Sequence, residues 1–339
     1  MNFVLRDENA ILYECGYSCD NALYIKAGSE SFFITDGRYG EEASRRVRDA
    51  EVFVTRDLVR KAAKLISRSK IKKCRFDPKE WDLHSYKRLK GGTDVRLLPR
   101  KDLSHRRRIL KSEREIKYLR KASRIGAGAF DEIASMLSRK GVGLKESRIN
   151  FAAESILRDF GDRELSFKPI TAISENASLP HALPGKRKLK EGDLFLLDAG
   201  VKYKGYCSDR TRTAFFHNGI DFGYEQRFAS RTIQKIYDTV LKAHDAAIEA
   251  AKKGTKASRV DKVARDIIDR AGYGKYFVHS TGHGVGLDIH EMPYISPHSD
   301  TILDDGMVFT IEPGIYIPGS FGVRIEDTVV VRNGHASVL

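Results

Sequence analysis

Residues Gly192–Phe216 read GDLFLLDAGVKYKGYCSDRTRTAFF, and this run decides what kind of sheet the second half of the chain builds. Two β-rich runs flank the turn-prone KYKG of Lys202–Gly205, the pattern of an antiparallel hairpin. Asp198 and Asp209 lie symmetrically about its middle and are expected to face each other across neighbouring strands. Carboxylates so placed in an apolar context repel, and burial raises their pKa values unless a cation intervenes. Residues Met307–Val331, MVFTIEPGIYIPGSFGVRIEDTVVV, repeat the device, with Glu312 and Glu326 flanking the turn IPGSFG. A lone Asp near a strand end is ordinarily structural, because Asp favours turns. Two acid pairs in two apolar hairpins call for a further explanation.

The stretch Phe277–Pro293, FVHSTGHGVGLDIHEMP, holds three of the chain's ten histidines, His279, His283 and His290. His279 and His283 have the HxxxH spacing of zinc-peptidase helices, but the glutamate of HExxH is missing and Gly282 and Gly284 oppose a helix. The G-x-G-x-G spacing of Gly282, Gly284 and Gly286 is not a dinucleotide fingerprint, and no GxSxG elbow or phosphate-binding loop occurs. One reading uses all the anomalies together: Asp198, Asp209, His283, Glu312 and Glu326 form a metal cage. Its formal charge of −4 is neutralised by two divalent cations, which bridging carboxylates hold about 3.5–4 Å apart. The oxygen-rich set favours Mn²⁺, with Co²⁺, Fe²⁺ or Zn²⁺ as alternatives.

Outward from these motifs, 339 residues are enough for two domains, and 41% hydrophobic with 31% charged residues is ordinary for a globular protein. No apolar run reaches the roughly 18–20 residues of a membrane helix, and the N-terminus lacks a secretory pattern. Four scattered cysteines without a CxxC pair fit free thiols, so a cytoplasmic protein is expected. The net charge of +14 is concentrated early: the first 110 residues carry 25 Lys and Arg against 16 Asp and Glu. These basic runs follow amphipathic helical patterns interrupted by acids, with no nucleic-acid motif, and read as solvated helix faces. No nucleic acid and no membrane is expected as a partner.

Residues 1–108 alternate strand-like runs (NALYIKAG, SFFITDG, EVFVT, KKCRFDP, DVRLLP) with helical ones (YGEEASRRVR, DLVRKAAKLISRS), a small α/β domain. A basic, polar joint follows, RKDLSHRRRILK. From Ser112, which forms a capping box with Glu115, residues 112–339 read as a second domain of α+β class. Helices are expected in it at KESRINFAAESILRDF, over the whole of Gly223–Gly254, and at KASRVDKVARDIIDRAG.

The elements LLDAG, GYCSDRTRT, HSTGHGVGLDIHE, TIEPGIY and GVRIEDTV, in this order, resemble the pita-bread metallopeptidases. These include prolidase (Xaa-Pro dipeptidase), aminopeptidase P and, more distantly, methionine aminopeptidase and creatinase. The resemblance covers most of residues 112–339, and implies a pita-bread catalytic domain preceded by a smaller creatinase-like α/β domain. It implies two divalent metal ions on the five donors already picked out. It also gives roles to other residues: His181, in LPHALP, hydrogen-bonds substrate or leaving group, and His279 and His290 line the pocket and stabilise developing charge. Arg324 lies near the substrate and is a candidate, with the histidines, to hold a dipeptide's free carboxylate. Arg210 departs from the family, in which many members carry an apolar residue after the ligand aspartate. The implied activity is hydrolysis of short peptides with proline second, with Glu312 relaying the proton. Aminopeptidase P action on longer peptides is the alternative, and a non-catalytic peptide- or nucleic-acid-binding module a distant one. The implied assembly is a homodimer.

Overall fold

The computed structural model describes residues 1–339, which form two compact units, Met1–Arg107 and Arg108–Leu339. The first unit is built on six strands: β1 (Phe3–Leu5), β2 (Ala22–Ala27), β3 (Glu30–Thr35), β4 (Glu51–Val54), β5 (Lys73–Phe76) and β6 (Arg96–Pro99). Its helices are α1 (Glu8–Cys15), α2 (Gly40–Arg46), α3 (Leu58–Arg68), α4 (Leu83–Gly91) and α5 (Leu103–Arg108). The sheet order is β4-β3-β2-β1-β5-β6, antiparallel within β1–β3 and parallel at both flanks. Because successive strand residues face opposite ways, Val4, Ile25 and Ile34 enter one core while Phe3, Leu5, Tyr24 and Phe33 enter the other. α3 covers the first face with Leu58, Val59, Ala62, Leu65 and Ile66. Each fully buried Leu, Ile or Val there contributes roughly 1.5–3 kcal/mol. β1, α1 and α4 were not foreseen from the sequence. β1 has only three residues, too few to show a period, and α1 is defined instead by its cap, the Asp7 carboxylate accepting from the Ala10 N–H at 2.8 Å.

The second unit opens with α6 (Glu113–Lys140), capped by the reciprocal Ser112–Glu115 box, and α7 (Glu146–Leu157). β7 (Ile170–Ile173), β8 (Leu194–Ala199) and β11 (Arg210–Phe215) form a three-stranded sheet in the order β11-β8-β7. β9 (Lys202–Tyr203) and β10 (Tyr206–Cys207) extend the β8–β11 hairpin to its tip. Then come α8 (Arg231–Ala250) and α9 (Ala257–Arg270), whose Ile236, Val240, Ala243, Val260, Ala264 and Ile268 pack in the main core. α8 is shorter than the expected Gly223–Gly254 helix. It starts where the Ser230 hydroxyl accepts from the Ile233 N–H, and the preceding residues are held in a loop by Gln226 and Gln234.

The remaining strands are β12 (Gly282–Gly284), β13 (Glu291–Ile295), β14 (Val308–Ile311), β15 (Gly314–Ile317), β16 (Phe321–Arg324), β17 (Asp327–Arg332) and β18 (His335–Val338). Five of them form a sheet in the order β13-β12-β14-β17-β18, and β15–β16 is a separate ribbon. Glycine is required in β12, since a Cβ on Gly282 would strike the Thr310 carbonyl and one on Gly284 the carbonyls of Glu291 and Met292. The mixed α+β architecture is thus as expected, and no helix is long and apolar enough to cross a membrane. All four cysteines are free and buried.

Candidate active site

The two hairpins bring their acids together by different registers. In the first, Thr211 stands opposite Asp198 and Arg210 opposite Ala199. Asp209 therefore lies ahead of β11, two residues along from Asp198's direct partner. The expected face-to-face pair is a diagonal one on the same face, because the tip pairs Lys202 with Cys207 and shifts the centre of symmetry by one residue. In the second hairpin, Ile311 opposes Asp327 and Gly314 opposes Arg324, which leaves Glu312 and Glu326 at opposing positions between two ladders. A bridge from Thr211 to Glu326, with the Glu326 N–H donating to the Thr211 carbonyl at 3.1 Å, sews one hairpin to the other.

β12 adds the imidazole. His283 Nε2 is 3.6 Å from Asp209 Oδ2 and 3.3 Å from Glu312 Oε1. Donor atoms of Asp209, His283 and Glu326 all lie within 4.8 Å of one another, close enough to share an ion. Asp198 binds the Arg324 guanidinium through Oδ2 at 2.6 Å, while its Oδ1 is buried without a partner. A buried carboxylate oxygen with nothing to bind is costly, and a cation satisfies it. Hydroxyls orient the rest: Thr211 donates to Glu326 at 2.6 Å and Thr310 to Glu312 at 3.2 Å. Asp209 and Thr211 share the cage side of the strand, while Arg210 turns away and stacks over the Phe130 ring.

The electrostatics are those of a donor set short of positive charge. Burial, then repulsion from neighbouring acids, holds Asp209 and Glu326 well above the carboxylate range. Burial pushes Glu312 up to about 8, with Asp198 adding to the rise against the pull of Arg324. Burial lowers His283 to about 3 and His279 to about 4, and lowers His290 as well, so these imidazoles are neutral donors or acceptors at physiological pH. Neutral imidazole and carboxylates stabilised by an added cation are what a divalent metal needs.

Asp198, Asp209, His181, His279, His283, His290, Glu312, Arg324 and Glu326 all line one cleft of about 670 Å³. His290 meets His283 edge-on at 4.2 Å between ring centroids, and His181 is exposed on the loop after β7. His279 is 2.9 Å from the Tyr316 hydroxyl. Arg324 is only 3% exposed, and Asp198, Tyr316, Thr211 and the Pro180 carbonyl take its donors. It has no free fork for a substrate carboxylate, which corrects that expectation. It lines the cleft with its donors already engaged by the surrounding wall. Tyr316, Thr211 and Thr310 escaped the sequence reading, although Thr211 lies two residues from Asp209, and Thr310 and Tyr316 two and four residues from Glu312.

The model of metallopeptidase family M24 matches residues 117–333, and the chain belongs to that family of divalent-metal peptidases, with its pita-bread fold. An uncharacterised peptidase of Bacillus subtilis, YqhT, is 34% identical over 331 residues, 97% of this chain and 90% of that protein. Among solved structures, the Xaa-Pro dipeptidase from Bacillus anthracis superposes with a TM-score of 0.90 at 35% identity, covering 99% of this chain and 92% of the other. The X-Pro aminopeptidase from Thermotoga maritima gives 0.86 at 30% identity, covering 99% and 95%.

Proposed function

We propose that the protein is a prolidase-like exopeptidase that cleaves the Xaa-Pro bond of short peptides, dipeptides foremost, with two divalent metal ions held by Asp198, Asp209, His283, Glu312 and Glu326. The observation that carries it is the convergence of these five donors in the lining of one cleft, with donor atoms of Asp209, His283 and Glu326 within 4.8 Å of one another. Mn²⁺ suits the oxygen-rich set best, with Co²⁺, Fe²⁺ or Zn²⁺ as substitutes. Such ions polarise a carbonyl and ready a water for attack near neutral pH. The chain's own groups do the rest. Glu312, beside His283, takes the proton and passes it on. His279, fixed by Tyr316, and His290 offer neutral imidazoles to the developing oxyanion and the leaving nitrogen, and His181 adds a third imidazole to the same cleft.

Proline in second place is supported by the similarity to an Xaa-Pro dipeptidase and an X-Pro aminopeptidase. A site for a tertiary amide cannot rely on a substrate N–H, and the cleft wall of Phe167, Pro169, Ile170 and Leu183 offers apolar surface for a pyrrolidine ring. With Arg324 committed, Lys168 is the other lysine or arginine of the lining, and it is exposed. It is our candidate for the free carboxylate, and a contact of that kind contributes roughly 1.5–3 kcal/mol. The test is kcat/KM for Ala-Pro against Ala-Pro-Pro and Ala-Ala. The expectation is a preference for Ala-Pro of about 10–100-fold over Ala-Pro-Pro. Faster cleavage of Ala-Pro-Pro makes the protein an aminopeptidase P, and equal cleavage of Ala-Ala removes the proline requirement.

A further inference from the structure

Two cations of the basic stretch before α6 are not on a solvated face. Arg108 is 2% exposed and Lys111 6%. Lys111 Nζ lies 2.7 Å from Glu291 Oε1, and Arg108 Nη2 lies 3.3 Å from Glu291 Oε2 while also pairing with Asp288. The contacts to Glu291 are close enough for ion pairing but are not aligned as hydrogen bonds. The segment is anchored independently of these side chains, since Leu110 bridges to Met307 and the Lys111 N–H donates to the Gly306 carbonyl at 2.8 Å. Opposite it, a Cβ on Gly286 would run into the Glu291 carboxylate, so the loop's own backbone closes over the ion group.

Two cations and two carboxylates leave the group neutral. Apolar residues of similar volume commonly serve stability as well as or better than a buried ion group, so stability alone does not account for this one. Its placement does. Asp288 and Glu291 bracket Ile289 and His290, which both line the cleft. We propose that Arg108 and Lys111 are positioning residues, which grip the loop at both ends of this pair so that His290 faces the cleft against His283. The proposal rests on the reading of His290 as a group that acts on substrate.

A double-mutant cycle tests it in the metal-loaded, full-length protein. Lys111→Met is expected to lower kcat for Ala-Pro roughly 10–100-fold with little change in KM, as losses behind a functional histidine do. In a His290→Ala background the same substitution is expected to change kcat by less than about twofold, since the two act as one unit. Arg108→Ala should behave likewise, and Arg108→Lys should restore most of the loss. Equal losses in both backgrounds would show a general structural role and overturn the proposal. Should Lys111→Met fail to fold, Asp288→Asn, at the more exposed end of the group, runs the same cycle. A readout independent of turnover is the rate at which diethyl pyrocarbonate modifies His290, followed by mass spectrometry. It should rise in Lys111→Met and stay unchanged at His181; an unchanged rate at His290 overturns the proposal. If native protein fails to cleave Ala-Pro, the peptidase reading fails, and the modification rates still decide the positioning role.

Discussion

Asp198 shows how a single side chain serves two masters: one oxygen is neutralised by Arg324 and the other is buried with no partner. Around it, Asp209, Glu312 and Glu326 all hold protons more tightly than free carboxylates do. These three carboxyls thus bind more protons in the native metal-free chain than in the unfolded one, Glu312 between about pH 4.5 and about pH 8, and their contribution to stability falls as pH rises through that window. Divalent ions displace those protons and remove the penalty. The melting-temperature gap between Mn²⁺-loaded and chelated protein is therefore expected to widen from about pH 5 to about pH 8, with protons released on metal uptake. A gap that stays constant across this range would contradict the cage electrostatics. The histidines should divide. His283→Ala should lower metal occupancy, whereas His279→Ala and His290→Ala should keep the metals and lose turnover by roughly 10–100-fold. Emptying of the site by His290→Ala but not by His283→Ala would reverse the assignment.

At the scale of elements, the seam between β11 and the turn of strand before β17 is what turns two hairpins into one site. Thr211 is its pivot, donating to Glu326 and accepting from Arg324 Nε at 3.1 Å. Thr211→Val keeps the shape and removes both bonds, so metal affinity should drop about 10–100-fold while far-ultraviolet circular dichroism stays native. Unchanged metal affinity would show that the seam's backbone alone suffices. The hairpins themselves were legible from the sequence, because alternating apolar runs about KYKG and IPGSFG fix a register to within a residue or two. Within that margin Glu312 and Glu326 fall opposite each other, but Asp198 and Asp209 fall on a diagonal, since a one-residue difference in the tip is invisible to symmetry. Which cations are spent was not legible. Arg324 and the Arg108–Lys111 pair read as available charge, and only their long-range partners, Asp198, Asp288 and Glu291, show otherwise. Likewise Arg212, buried and bound to Asp327 at 2.8 Å, looks in the sequence like any other basic residue of a strand.

For the molecule as a whole, the smaller unit carries a doubly covered sheet of its own, and the larger one carries every donor of the cage. The family resemblance leads us to expect a homodimer, which light scattering at micromolar concentration checks: twice the chain mass is expected, and a strict monomer with full activity would remove the idea. The central claim is that the five converging donors hold two divalent ions on which peptide hydrolysis depends. The most direct test is to chelate the protein fully, return Mn²⁺ or Co²⁺ in steps, and measure bound metal and Ala-Pro hydrolysis on the same samples. The account predicts no hydrolysis without metal and activity rising to a plateau as occupancy approaches about two ions per chain, with Asp209→Ala losing at least one of them. Full Ala-Pro cleavage by the metal-free protein would contradict it.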